Sequence, residues 1–555
     1  MRFYFPHSKQ TCQEQHWSSH KRDCKDSLLS PTWMPMWAAQ DRKASFIRKH
    51  AGMDKLDDLA RERVKYGQMR RGIWSNTPAI DVLNLEKNEG TTTNRNLNLA
   101  FISPTSLADL IYTINRIPAT YSGDLTILLD HNDSLSLTRN TLMLLVLGRT
   151  PDTLKAAEIV LHLWYSAFVQ ASHAAALMAV VLPLVEELKK PAGEVKIGER
   201  STLQFGEQGP RKEGHSVFLA TMIQHLLSKY DFEKTQAEYQ RVFLAPARED
   251  FLHRKYVDIE PSHRLAYDQF RRFGVLLPFG APSAHFNQPN QFLFSPECEW
   301  YQDDGVDPFK SWDIKEVLDA GQARGVHRAD IFGSLYFYVL SQLQSFAHRI
   351  QTSSSRIAFH CRLAPDTRNN NLTYTGLPRT TRFDRISVSN LIDHNYAGLE
   401  AVLKTWGLLL NTKGNTHATL VGYFKNWVAE EPRASHQSMS PEELAMLVKR
   451  KTVTAEISLA TVLTKADHKD TIFQAIYDNS APFVRYLNEL NAARLASAAG
   501  LKLKQRHTIV PHRLDGRFGD PPNAVPFLPD QETWYLKVFL GNSSFLGRTV
   551  EFGPA

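Results

Sequence analysis

The chain has 555 residues, 43% hydrophobic and 22% charged, the composition of a soluble globular protein with room for two to four domains. Four cysteines in so long a chain exclude a disulfide framework and point to a reducing, intracellular compartment, cytoplasmic or nuclear. Residues 1–72 hold 15 of the 65 Lys+Arg and 8 of the 58 Asp+Glu, leaving 50 of each elsewhere, so the whole net charge of +7 sits in the N-terminal arm. No aromatic residues interleave a basic stripe there, so the arm reads as a solvated linker and nucleic acid is not expected as a partner. The start lacks an apolar stretch of the secretory type. The longest apolar run, AAALMAVVLPLV from Ala174 to Val185, is too short to span a bilayer and contains Pro183. It is expected to be a buried helix, with no membrane involved.

Near the start, Cys12, His16, His20 and Cys24 recur every four residues. On a helix they share one face, but the ends would lie ~18 Å apart, far beyond the reach of one zinc ion. A neighbouring pair at most could bind. The string CQEQHWSSHKRDC resembles the last third of a MYND zinc finger, with Cys12, Gln13, Trp17, His20, Lys21 and Cys24 in register. The resemblance implies a two-zinc cross-brace in which Cys12 serves one ion and His20 and Cys24 the other. Ser8 stands where that pattern needs a cysteine, and the two upstream CxxC pairs are missing. Residues 1–24 therefore read as the remnant of a truncated finger, binding zinc weakly or not at all; a plain amphipathic helix with Trp17 packed is the competing reading. A complete finger implies protein partners, specifically proline-rich peptides.

Residues 25–72 form a basic connector, with SPTWMPMW extended over a surface. Residues 73–150 read as a first αβ half: strands at Leu97–Ser103 and Leu125–Asp130, each followed by a helix, SLADLIYTINRI and SLSLTRNTLMLLVLG, the second stopping at Gly148. Residues 151–350 are a helical insertion, opening with one long apolar helix, AAEIVLHLWYSAFVQASHAAALMAVVLPLVEEL. Residues 351–430 form the second αβ half, with strands RIAFHCRLA, FDRISVSN (Phe383–Asn390) and HATLVGYF. Residues 431–555 are a helical tail closing with WYLKVFLGNSSF as a terminal strand and turn. Short strand–helix joints predict parallel pairing.

The phrases WSNTPAIDVLNLEKNEG, YSGDLTILLDHND, HRLAYDQFRRFGVLLPFG and FDRISVSNLIDHNYAGLE resemble fungal proteins that carry a MYND finger before a large domain of unknown function. The front part also looks like the opening domain of axonemal dynein preassembly factors. Strand order resembles class I methyltransferases, so the expected fold class is α/β, a Rossmann-like parallel sheet interrupted by the helical insertion and preceded by the partial finger helix. In that resemblance Asp130 would hold the ribose of S-adenosylmethionine and Asp366 would address the adenine. The loop after the first strand, SPTSLADL, has no glycine, so S-adenosylmethionine is not expected to bind. Asn390, at the carboxyl end of its strand, is a further ligand candidate; it competes with a helix-capping role, as does Asp384 with a turn. His131, Asn132 and Asp133 read as a turn and cap or as a pocket rim. No catalytic motif stands out. These features favour a zinc-finger interaction or assembly factor, and alternatively a divergent methyltransferase-like protein without an intact cofactor site.

Overall fold

A computed structural model describes residues 25–45, 73–188, 194–205, 213–368, 372, 375–452, 469–541 and 545–555. The first αβ half runs β1 (Leu97–Ile102), α1 (Ala108–Arg116), β2 (Leu125–His131) and α2 (Ser134–Arg149). The insertion that follows contains α3 (Thr153–Tyr165), β3 (Phe168–Gln170), α4 (Ala171–Leu188), β4 (Glu194–Lys196), β5 (Ser201–Phe205), α5 (Glu213–Leu227), α6 (Phe232–Phe243), α7 (Pro261–Phe273), β6 (Phe286–Pro289), α8 (Ile314–Ala323) and α9 (Ile331–Thr352). The chain then returns to the sheet through β7 (Ile357–Leu363), β8 (Arg385–Ser387), α10 (Leu399–Thr405) and β9 (Thr419–Phe424), and after further helices adds β10 (Leu501–Leu503) and β11 (Arg548–Pro554).

Nine strands join in the order β10-β11-β9-β8-β1-β2-β7-β5-β4. The six from β9 to β5 are mutually parallel; β4 is antiparallel to β5, and β11 to both β9 and β10. This corrects the expected Rossmann-like parallel sheet to a large mixed α/β sheet. The physical reason is that the short return pairing Val195 with Leu203 closes one edge as a hairpin, and the C-terminal strand inserts antiparallel between β9 and β10 at the other. The finger helix expected before it falls on residues 1–24, outside the described residues.

Side-chain alternation splits the core in two. Leu97, Leu99, Phe101, Leu125, Ile127 and Leu129 face the helices of the insertion. Ala100, Ile102 and Leu128, with Ile386, Leu420, Val550 and Phe552, face α10 and the C-terminal helices. The connector segment docks on the insertion: Trp37 is buried, and Arg42 grips Asp250 through two hydrogen bonds of 2.5 and 2.8 Å.

Three local expectations change. The long apolar helix is broken at Ser166–Gln170, where β3 pairs with β6. Its second part, α4, is 18 residues with a mean hydropathy of 1.5, long and apolar enough by length and composition to cross a membrane, with 33% of it buried. That corrects the expectation that no membrane could be involved on grounds of length; His173, Leu177, Val180, Val181 and Leu184 are its buried face. Finally, Gln531–Trp534 and Tyr535–Leu540 are helical, capped by Asp530, whose carboxylate accepts the Thr533 amide at 2.7 Å. The terminal strand lies beyond them.

Candidate functional site

In open α/β sheets, ligands bind outside the carboxyl ends of the strands, where neighbouring connections leave in opposite directions. Here that place is the edge above β2, β1, β8 and β9, since β1 connects to β2 on one side and pairs with β8 on the other. Ser103, directly after β1, and Ser389, two residues after β8, are non-glycine residues in the left-handed region, at φ 56° and 46°. Such backbone costs of order 1–3 kcal/mol and collects at binding sites.

Asp130 is the penultimate residue of β2 and is 2% exposed. It sits in register with Arg362 of β7, which donates from Nε to Oδ1 at 2.5 Å and from Nη2 to Oδ2 at 2.7 Å. Burial pushes the Asp130 carboxyl upward, and the Arg362 charge pulls it back. The guanidinium lies 5.8 Å from the Trp406 ring, in the core beside α10. Both carboxylate oxygens are therefore committed within the protein.

His131, one residue on, points to the opposite face. It is 1% exposed, and burial together with the nearby Arg139 charge holds its pKa down to about 3, so the ring is neutral. Its Nε2 lies 3.2 Å from the Asn140 amide nitrogen, which also donates to the Pro104 carbonyl at 3.4 Å. Arg139 belongs to the same cluster, under the Ser103–Ser106 loop, with Nη2 donating to the Thr105 carbonyl.

A second group lies after β8 and β9. Asp393 is 1% exposed and accepts the Lys425 and Asn426 amides at 3.1 and 3.0 Å, with burial raising its pKa to about 6. His394 pairs with Glu430, whose other oxygen accepts the Tyr486 hydroxyl at 3.3 Å. An open groove beside them is lined by His394, Glu400, Lys404, Tyr486, Leu490 and Leu495.

Asp366 and Asn390 do not join Asp130. Asp366 is exposed and bound to Arg368, whose backbone and side chain reach it at 3.0 and 2.9 Å and hold its carboxyl below the usual range. Asn390 is half-buried in the single turn Ser389–Ile392 and makes no side-chain hydrogen bond among the described residues. Asp384 is saturated by the Asn98 amide and by Asn411 and Asn415, a purely structural knot at the start of β8. Asp133 caps α2 through the Ser136 amide at 2.8 Å. Arg139 and Arg362 are buried charges at the strand ends that no motif singles out. The signal for both was present: a charge inside a continuous apolar run must find a partner or a purpose.

Residues 73–169 match a family model described as Domain of unknown function (DUF4470). No curated protein and no solved structure matches the chain. These findings correct the resemblance to MYND-finger proteins and dynein preassembly factors. Cys12, His20 and Cys24 lie outside the described residues, and among the described residues no group of three or more His, Cys, Asp or Glu could hold a metal. The described residues thus offer no ligand set to replace those the finger lacks. Cys298 and Cys361 are buried and separate, and burial pushes the Cys361 thiol up to about 12. A zinc-binding role, and peptide docking through a finger, are overturned on that ground.

Proposed function

We propose that the chain is a divergent methyltransferase-like protein without an intact S-adenosylmethionine site. Strand order supports the first half. With the insertion strands set aside, β1, β2, β7, β8, β9, β10 and β11 rank first to seventh in the chain. Across the sheet they stand third, second, first, fourth, fifth, seventh, sixth, with the seventh alone reversed. That order resembles the class I methyltransferase arrangement.

The observation that carries the second half is the Asp130–Arg362 pair. A carboxylate that holds a ribose must offer its oxygens to the ligand, and both oxygens of Asp130 accept from Arg362 in a position sealed from water. The loop after β1 adds to this. Where close backbone approach to a nucleoside calls for glycine, this chain has Ser103, Pro104, Thr105 and Ser106. The residues present do not fit the cofactor, and no methyl-transfer step follows from them. Thermal melting with 1 mM S-adenosylmethionine tests the reading. A site with a Kd of about 10 µM would add about 2.7 kcal/mol of stability. The expected result is an unchanged midpoint; a saturable rise would overturn the proposal.

A further inference from the structure

Four of the largest fully buried side chains are arginines: Arg139, Arg362, Arg385 and Arg548. Three have a carboxylate at hand. Arg362 holds Asp130, Arg385 holds Glu89 at 2.7 Å, and Arg548 has Asp478 at 3.7 Å besides Asn479 and the Pro522 carbonyl. Arg139 has none. Its one hydrogen bond among the described residues runs to the Thr105 carbonyl, of the five a guanidinium can make, and its Nε is buried without a partner. An isolated buried ion is strongly unfavourable unless something answers it. Burial lowers its pKa to about 9, which leaves it charged at neutral pH.

Its surroundings are polar and incompletely paired. Arg139 lies at the carboxyl ends of the first two strands, beneath a loop in which Thr105 is exposed and Ser103, Pro104 and Ser106 are half-buried. The Ser103 hydroxyl and the Asn140 carbonyl oxygen are buried there without partners as well. Neutral His131 adds no charge to the cluster. On the far face of the sheet Asp130 is spent on Arg362, so the cluster keeps one uncompensated positive charge.

We propose that Arg139 is the anchor of an oxyanion site beneath the Ser103–Ser106 loop, taking the phosphate or carboxylate group of a small ligand. The anion would replace the Thr105 carbonyl as partner of the guanidinium and accept from its idle N–H groups and from the Ser103 hydroxyl. This rests on the reading that the carboxyl ends of the strands still take a ligand although the nucleoside cofactor does not fit.

The test is thermal melting of the full chain against inorganic phosphate and, separately, acetate, at constant ionic strength, for the wild type, Arg139→Met and Arg139→Lys. The expected result is a saturable rise in midpoint with one of the two anions, identifying phosphate or carboxylate as the ligand group. Arg139→Met should abolish it, and Arg139→Lys should keep a weakened form. Without anion, Arg139→Met should melt at or above the wild type, because it relieves an unpaired charge. A rise that persists in Arg139→Met, or no saturable rise with either anion, overturns the proposal. So does an anion-free Arg139→Met protein that is markedly less stable, since the guanidinium would then be a structural clamp for the loop. S-adenosylmethionine, run in parallel, separates the two readings: its binding would defeat the loss of the cofactor site whatever the anions do.

Discussion

Asp330 illustrates how single residues set the pH response of this protein. It caps α9, accepting the Gly333 amide at 2.7 Å and the Phe279 amide at 2.9 Å, yet burial raises its pKa from 3.8 to about 6. The folded value exceeds the unfolded one, so protonation favours the fold. The stabilisation is fully present below about 3.8 and is lost as pH rises through about 6. Asp330→Asn keeps an oxygen for the cap and removes the titration. Urea unfolding at pH 4 and pH 7 should therefore show the wild type losing roughly 2–3 kcal/mol relative to the variant. Arg139 and Arg362 belong to the same scale. Each was visible as a charge within an apolar stretch, LTRNTLMLL and IAFHCRL, but the partner of neither could be read, because partnership depends on which strands lie side by side. Asp366 failed as a candidate for a local reason: Arg368, two residues on, satisfies it in the turn.

At the scale of elements, the parallel strands were legible because a strand buried on both faces is a short unbroken apolar run. Both β1 and β2 begin at the expected residue. Gly148 was misread. It does not stop α2, which runs on to Arg149; it lies where a Cβ would collide with the Ile197 carbonyl. Gly148→Ala should thus destabilise the protein by about 1–3 kcal/mol in urea unfolding. An ordinary mid-helix glycine would instead gain about 0.5–1 kcal/mol on becoming alanine, so the sign decides. The stretch from Trp534 to Leu540 departs from the expected strand for a different reason. Trp534, Leu536 and Val538 are buried in strand-like alternation before Phe539 and Leu540 break it, but Asp530 starts a helix that widens over Tyr535–Leu540, and the cap outweighs the pattern.

The whole molecule depends on contacts between distant parts of the chain, which a sequence pattern cannot pair. The last strand, β11, lies between β9 and β10, with Arg548 opposite Phe424 and Leu503 opposite Phe552. Its Glu551 is buried and accepts the Thr508, Ile509 and Val510 amides. Deleting residues 546–555 therefore removes an internal strand and leaves β9 and β10 with open edges. The expected outcome is loss of a single cooperative thermal transition by circular dichroism; an unchanged melt would mean that β11 is dispensable. The insertion between β2 and β7 likewise returns the chain to the edge of β2, and only that return brings Arg362 to Asp130. The proposal that this pair commits the Asp130 carboxylate within the protein is tested most directly by a double-mutant cycle on stability with Asp130→Asn, Arg362→Met and both. The account predicts that each single change costs about 3–5 kcal/mol and that the double change costs well under their sum. Additive costs would contradict it, because they would leave the Asp130 carboxylate free to serve a ligand.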